Sequence, residues 1–595
     1  MDVPINRLSG RRLWRSIGIF ARSEVRTAAL GLVVALVALM LAINGLNVLN
    51  SFVGRDFITA IEQRSMPAFV WYAALYVLVF AASTAAAVFF RFTEERLGLL
   101  WREWLTGRLM ATYLEFGTPY RLNDALVANG EIANADQRIT DDVRALTTTT
   151  ISFGLLLTNA TITVLAFSGV LLSISPLLFF ITLAYAAIGS GLTIAFGHSL
   201  IELNYVQLDK EANFRAELLR VRENAEAVVL GEYEPAVYRR LTQHLSSLIA
   251  NLRRVIATNR DVGFFTTGYG YLNQIIPTIV VAPLFIRGQA EFGVITQSSM
   301  AFGHLIGAFS LIVTQFQSIS SFAAVVARLG SLAEAIELSQ QTALRSRGQC
   351  RHRATLVECP ICTPEEIAPL PGPSLQFIQG SGEIRFEHLT LRSPHDDRLL
   401  LDDLSLSLAA GTRVLVTAQE EAPKIALLRV TAGIWDTGTG TIVRPPAGEL
   451  MFVRERPYFP PATLRQLITP EGRTAADAEL TAALAALQLE ETIRRSGGLD
   501  SEQDWQSTLS LSEQQLLTLA RVMIAAPTFV MLDRIDTALT AEQTERVLMQ
   551  LTEKKITYIA LTSVEAHGNA YDAVLRIAAD GSWTWTTAQP EESAA

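Results

Sequence analysis

Residues 413–429 read RVLVTAQEEAPKIALLR, and their reading decides the fold of the second half of the chain. The stretch Val414 to Thr417 predicts a buried strand, and a short loop, a lysine and an amphipathic helix from about Ile425 follow it. Strand, loop, lysine and helix in that order form the frame of a phosphate-binding P-loop, G-x-x-x-x-G-K-[ST]. The lysine, Lys424, is in place. The glycines, whose bare backbone lets N–H groups surround phosphate, are not: their positions hold Ala418, Glu421 and Pro423. Proline has no N–H to offer. Glu420 and Glu421 put negative charge where phosphate would lie. At about 4 Å and an effective dielectric of about 20, each such contact costs about 4 kcal/mol. The residue after the lysine, which should offer Mg2+ a hydroxyl, is Ile425. Lys424 is therefore expected to be a surface lysine at a helix start rather than a phosphate ligand.

Working outward, the chain has 595 residues, long enough for several domains. Half of them are hydrophobic and 18% are charged, and the mean hydropathy of +0.29 belongs to a membrane protein. A net charge of -9 argues against nucleic-acid binding. The basic N-terminal stretch has its apolar residues broken by charge, so no cleaved signal is read there. Apolar runs fall at about 28–50, 67–90, 151–174, 177–197, 263–286 and 293–322. Six spans of this length suit an α-helical transmembrane bundle. Arg11, Arg12, Arg15, Arg22 and Arg26 precede the first run, which places the N-terminus in the cytoplasm. The outer connections are short. Those at about 91–150 and 198–262 are long, charged and helical in period, as for cytoplasmic helical hairpins. A transmembrane domain over 1–335, a polar linker over 336–375 and a soluble α/β domain over 376–595 follow from this pattern. In that last part, apolar strands such as FVMLD and TYIALTS alternate with helices, which argues for a mainly parallel sheet.

The membrane half carries NADQRITDDVR (134–144) and EANFRAELLRVRENAEAVVLGEYE (211–234); the soluble half carries RPYFPPATLRQLI (456–468), Asp504-Trp505 and LSLSEQQ (509–515). In these motifs the chain resembles the SbmA/BacA-like branch of ABC transporters, related to subfamily D. The resemblance implies an exporter-type fold, six spans with long cytoplasmic hairpins followed by an α/β nucleotide-binding domain, in a dimer in the bacterial inner membrane. It also implies that Asp136, Gln137, Arg138, Glu211, Arg215 and Glu226 lie in coupling segments. The nucleotide site it implies is a remnant: Lys424, Asp533 at the metal position, Glu455 at the Q-loop glutamine position, and Ser510 in the signature segment. His567 stands one residue after the histidine-switch position, which aligns with Ala566. Arg534 replaces the catalytic glutamate, and a guanidinium cannot act as a base. Thr540 replaces the D-loop aspartate and Ser512 the signature glycine. Binding of ATP and Mg2+ and hydrolysis are expected to be lost.

The linker adds Cys350, His352, Cys359 and Cys362, a C-x-H-x6-C-x2-C set. Two readings stand, a tetrahedral zinc site and unligated reduced thiols, and the resemblance supports no metal. For a solute path, the fifth and sixth runs offer Tyr269, Tyr271, Asn273, Gln274, Gln297, Ser298, His304, Thr314, Gln315 and Gln317, all equally suited to helix–helix hydrogen bonds. Asp56, Glu62 and Glu291 sit at or beyond span ends, so no proton relay is read inside the spans. The expected function is a transport subunit moving a polar, peptide-like or cobalamin-like solute, the classes the resemblance implies. It would work with a partner half-transporter holding an intact nucleotide site, or without ATP. The alternatives are a regulatory or scaffolding pseudo-transporter, and an active ATP-driven homodimer.

Overall fold

The computed structural model describes residues 7–122, 135–346, 375–562 and 570–587, apart from 395, 436, 447 and 471. The linker cysteines, His352 and His567 lie outside the described residues. The described residues fall into two compact units, one of 7–111 with 135–334, the other of 112–122, 335–346 and everything from Leu375.

The first unit is helical. A short helix, Arg7–Ala21, precedes Arg26–Glu62 and Met66–Leu114. The second apolar run does not stop at its charged end. It continues unbroken for 49 residues, about 74 Å at about 1.5 Å per residue. Ser175-Pro176 separates Val143–Ile174 from Pro176–Glu223. Ser175 is extended, its Oγ accepts from the Leu178 N–H, and proline at the first helical position gives up only an N–H that had no partner. After Ala225–Leu230 the chain returns in Glu234–Ile286, 53 residues long. The run read as one span over 293–322 is two helices, Gly293–Phe309 and Leu311–Ser346, broken at Ser310. Among the described residues, four helices are long and apolar enough to cross a membrane: Arg26–Glu62, Met66–Leu114, Ala135–Ile174 and Glu234–Ile286.

Polar groups inside this unit are spent on holding helices together. Asn44 donates to the Met40 carbonyl and to Asn159 Oδ1 (2.8 Å), and accepts from Thr163 Oγ1 (2.8 Å). Tyr185 and Tyr269 stack with ring centroids 4.2 Å apart, and each hydroxyl donates to the other's carbonyl. A Cβ on Gly189 would stand 2.3 Å from the Tyr269 ring, so glycine is what admits this contact.

The second unit holds the strands β1 (Leu375–Gln379), β2 (Glu383–Arg392), β3 (Leu399–Ala409), β4 (Val414–Ala418), β5 (Gly438–Arg444), β6 (Leu450–Val453), β7 (Ala462–Thr463), β8 (Glu502–Gln503), β9 (Phe529–Asp533), β10 (Thr557–Leu561), β11 (Ala573–Ile577) and β12 (Trp583–Thr587). A six-stranded sheet runs β12-β11-β4-β10-β9-β6, parallel except where β12 pairs with β11. A second sheet, β1-β5-β2-β3, is antiparallel at β2/β3 and β2/β5 and parallel at β1/β5. The domain is thus mixed, which corrects the expectation of a mainly parallel sheet. The alternation of β2 and β3 comes from short reversals rather than from helical crossovers. β9 and β10 are buried along their whole length, as central parallel strands covered on both faces must be.

Candidate nucleotide site

The strand β4 lies between β10 and β11, and its end is where the candidate site is built. Only Gln419 and Glu420 separate it from the helix Glu421–Ala432. No long glycine loop intervenes. Glu420 is the extended N-cap residue, and Pro423 sits in the first turn, where its missing N–H costs no helical bond. The helix buries Ala426, Leu427, Leu428, Val430 and Thr431 against the sheets and ends at Gly433, left-handed at φ 76°. There the N–H of Ile434 closes on the Arg429 carbonyl (3.0 Å).

Lys424 is not the surface lysine expected from the sequence. It is 1% exposed. Its ammonium donates to Glu421 Oε1 at 2.8 Å and to the Thr562 carbonyl at 2.9 Å. The other Glu421 oxygen lies 3.7 Å from the Arg534 guanidinium. Arg534 in turn pairs with the Glu455 carboxylate and lies 3.7 Å from Asp533. Sequence reading placed Lys424, Glu455, Asp533 and Arg534 separately; the fold brings all four together through Glu421. Leaving Asp533 aside, two cations face two glutamates. Burial pushes the Asp533 carboxyl up from its ordinary range, against the pull of Arg534 and Arg454. Glu420, the other acid of the loop, pairs with Arg398 at 2.8 Å. Both loop acids thus already have cations, a partnership the simple repulsion estimate left out. The frame is braced from β11, where Asp572 accepts from the Arg413 N–H and pairs with its guanidinium, which holds the Asp572 carboxyl below its usual range.

Other residues named from the sequence have local duties. Ser510 caps the helix Leu511–Ala525 in a reciprocal capping box with Glu513. Thr540 does the same for Ala541–Glu553 with Gln543. Ser512 Oγ reaches Gln543 at 3.4 Å. Trp505, fully buried, donates its ring N–H to the Ala462 carbonyl.

The coupling residues do not form one group. Arg138, buried, donates to the Arg328 carbonyl (3.0 Å) and to Ser331 Oγ (2.8 Å), both within the helical unit. Glu211 accepts from Gln207, which also accepts from Asn251. Asp136 and Gln137 form a single helical turn, and Arg215 and Glu226 are exposed. Sequence reading missed Tyr120 and Arg121. Arg121 donates to the Gly433 carbonyl at 3.0 Å, and Arg429 lies 5.3 Å above the Tyr120 ring. An aromatic–arginine pair at the end of a charged segment was the available signal.

Of the residues named for a solute path, several are committed to packing. Gln297, buried, donates to Ser51, Ser298 to the Ile295 carbonyl, and His304 stacks on Phe167 at 4.4 Å. Gln315 instead lines a cavity of about 510 Å³ among the helices Arg26–Glu62, Met66–Leu114, Val143–Ile174 and Leu311–Ser346. Glu94, Ser152 and Asn159 line it with apolar Phe90 and Phe153. Glu94 also escaped the sequence reading, because it lies four residues beyond the apolar run.

Residues 18–286 match the family described as ABC transporter transmembrane region 2. The chain is 35% identical over 550 residues to an uncharacterized ABC transporter ATP-binding protein of Synechocystis, covering 92% of this chain and 80% of that one. It is 32% identical over 593 residues to the chloroplastic ABC transporter D family member 2 of Arabidopsis thaliana, covering 91% and 82%. The lysosomal cobalamin transporter ABCD4 of mouse is 24% identical over 539 residues, covering 86% and 85%. In fold, the chain matches a bacterial Atm1-family ABC exporter with a TM-score of 0.71, covering 94% of each chain at 16% identity. The chain therefore belongs to the ABC transporters, as a membrane-spanning, subfamily D-like half-transporter.

Proposed function

We propose that the chain is the transport subunit of a dimer and that its own nucleotide site is closed by its own side chains. One observation carries this reading: the Glu421 carboxylate bridges Lys424 and Arg534, with Glu455 on the far side of Arg534. A nucleotide's phosphates would have to displace two glutamates from their cations, and no glycine backbone would compensate. With Arg534 at the position of the activating carboxylate, no residue there takes the proton of the attacking water. Ser510, exposed at the start of its helix while capping it, is the part of the signature segment that would face a site built by a partner with an intact P-loop. Six spans, an inner-membrane setting with both termini cytoplasmic, and membership of the SbmA/BacA-like branch belong to this proposal. The solute is taken as polar and peptide-like or cobalamin-like, supported by the branch resemblance and by what the mouse relative transports. The cavity in the helical unit favours transport over a scaffold without a substrate.

The test is titration of the purified full chain with a fluorescent ATP analogue and Mg2+. No saturable signal is expected. Micromolar binding that disappears in Lys424→Ala overturns the closed site. Purification in mild detergent is expected to bring down a second half-transporter carrying G-x-x-x-x-G-K-[ST]. Recovery of this chain alone, as a homodimer that transports, excludes the heterodimer.

A further inference from the structure

The cavity of the helical unit holds a carboxylate with no cation to meet it. Glu94 is half-buried, and Ser152 Oγ donates to its Oε1 at 2.6 Å. Among the described residues it has no ion-pair partner. The neighbouring Arg91, which lines an adjoining cavity of about 250 Å³ with Glu94, is engaged by Glu95 at 3.1 Å, one turn along the same helix. Arg91 and Glu95 cancel, and Glu94 leaves one negative charge against walls of Phe90 and Phe153.

The rest of the polar lining is neutral. Ser152 and Asn159 are two turns apart on one face of the Val143–Ile174 helix. Asn159 is held in place by the Asn44 amide, and Gln315 faces them from another helix. One carboxylate with a few neutral oxygens among apolar walls builds no oxygen cage of the kind Ca2+ takes. The volume lies in the range of small-molecule sites, roughly 300–1,000 Å³. A negative charge beside aromatic faces, partly removed from water, attracts cations strongly.

We propose that this cavity is a binding subsite for an organic monocation, with Glu94 as its charge-recognising residue, Ser152 holding the carboxylate, and Phe90 and Phe153 receiving the apolar body. The proposal rests on the reading of the helical unit as a solute path, and it narrows that solute to one bearing a positive charge. Glu94 is a specificity-determining residue, and no chemistry is assigned to it.

The test uses the full chain in phosphatidylcholine nanodiscs, dialysed to equilibrium against radiolabelled tetraphenylphosphonium, with empty nanodiscs as the blank. Tetraphenylborate, of the same shape and opposite charge, is the competitor. Saturable binding is expected, and tetraphenylborate should compete at least about tenfold more weakly than unlabelled tetraphenylphosphonium. Glu94→Gln, which keeps an acceptor for Ser152, should weaken binding about tenfold or more, and Glu94→Asp should restore part of it. Glu95→Gln, which frees Arg91 beside Glu94, should also weaken binding, whereas Glu103→Gln, exposed on the same helix and outside both cavities, should change little. Absence of saturable binding overturns the proposal, as does equal competition by both ions or an unchanged Glu94→Gln. Should Glu94→Gln not purify as a monodisperse protein, the wild-type competition and Glu94→Asp still decide. The ATP-analogue titration on the same sample separates the two readings. Cation binding through Glu94 together with nucleotide binding overturns only the closed site, and neither kind of binding overturns only the cation subsite.

Discussion

At the end of β4, Lys424, Glu421, Arg534 and Glu455 pair with one another, cation to anion along a chain. In the helical unit, Glu94 meets a serine hydroxyl and, among the described residues, no cation. Both places hold charge in surroundings poorer in water than the surface, where an unpaired ion is costly. The first has met that cost from within. The second leaves it for something else to meet. Charge that is satisfied internally stabilises a shape, whereas charge left unsatisfied in a cavity marks a ligand. On this contrast rests the proposal that the C-terminal domain serves through its architecture and the helical unit through what it binds.

The contrast breaks most sharply at Lys424. If its ammonium is structural, Lys424→Ala removes the hydrogen bonds to Glu421 and to the Thr562 carbonyl and empties a buried stem. We expect a loss of about 3 kcal/mol in the unfolding of the C-terminal unit, read by denaturant titration of its tryptophan fluorescence. Lys424→Met keeps the stem and should lose clearly less. Equal stability of Lys424→Ala and wild type would mean that the ammonium had been waiting for phosphate after all.

Arg534→Glu restores a carboxylate at the catalytic position but sets it beside Glu421, Glu455 and Asp533. We expect a destabilisation of about 2 kcal/mol and no phosphate release. Adding Glu455→Gln should recover part of that loss, because the two positions share one partner network. Measured ATPase activity in the single variant would show that one substitution had silenced the site.

In the helical unit the corresponding change is milder. Asn44→Ala removes the amide bonds to Asn159 and from Thr163. Interhelical hydrogen bonds in membranes contribute about 0.6 kcal/mol each, so a loss of about 1 kcal/mol is expected in thermal unfolding, with tetraphenylphosphonium binding weakened less than in Glu94→Gln, because only the anchor of Asn159 is lost. Loss of binding without loss of stability would place Asn44 in the subsite itself.

How much of this was legible in the sequence differs between the two places. The frame of strand, lysine and helix was readable because it is local, and so was the break at Ser175-Pro176. The lysine's partner was readable too, since Glu421 lies three residues before Lys424, on the same helix face; the motif's expectation of glycine hid it. The Arg534–Glu455 pair joins residues 79 apart in sequence and exists only after β6 and β9 align in register. Glu94 was missed because hydropathy marks where an apolar run ends, not where the helix ends, and this helix goes on to Leu114. The antiparallel sheet was missed because its strands resemble those of a parallel one when read singly.

The smallest expected effect is the one that best tests how the charge network at the end of β4 is balanced. Burial raises the Asp533 carboxyl above its unfolded value, so the folded state holds the proton more tightly than the unfolded chain does. Stability must then fall as pH rises between the unfolded value, about 3.9, and the raised folded value, and keep that deficit above it. Asp533→Asn removes the titration while keeping the shape. It should be more stable than wild type at neutral pH by less than about 1 kcal/mol, with the difference fading as pH falls towards the unfolded value. Arg534 would then face Glu421 and Glu455, a pair that it balances together with Lys424. If Asp533→Asn is instead the less stable protein at neutral pH, Asp533 is a charged partner that Arg534 requires, and the network carries three acids rather than two.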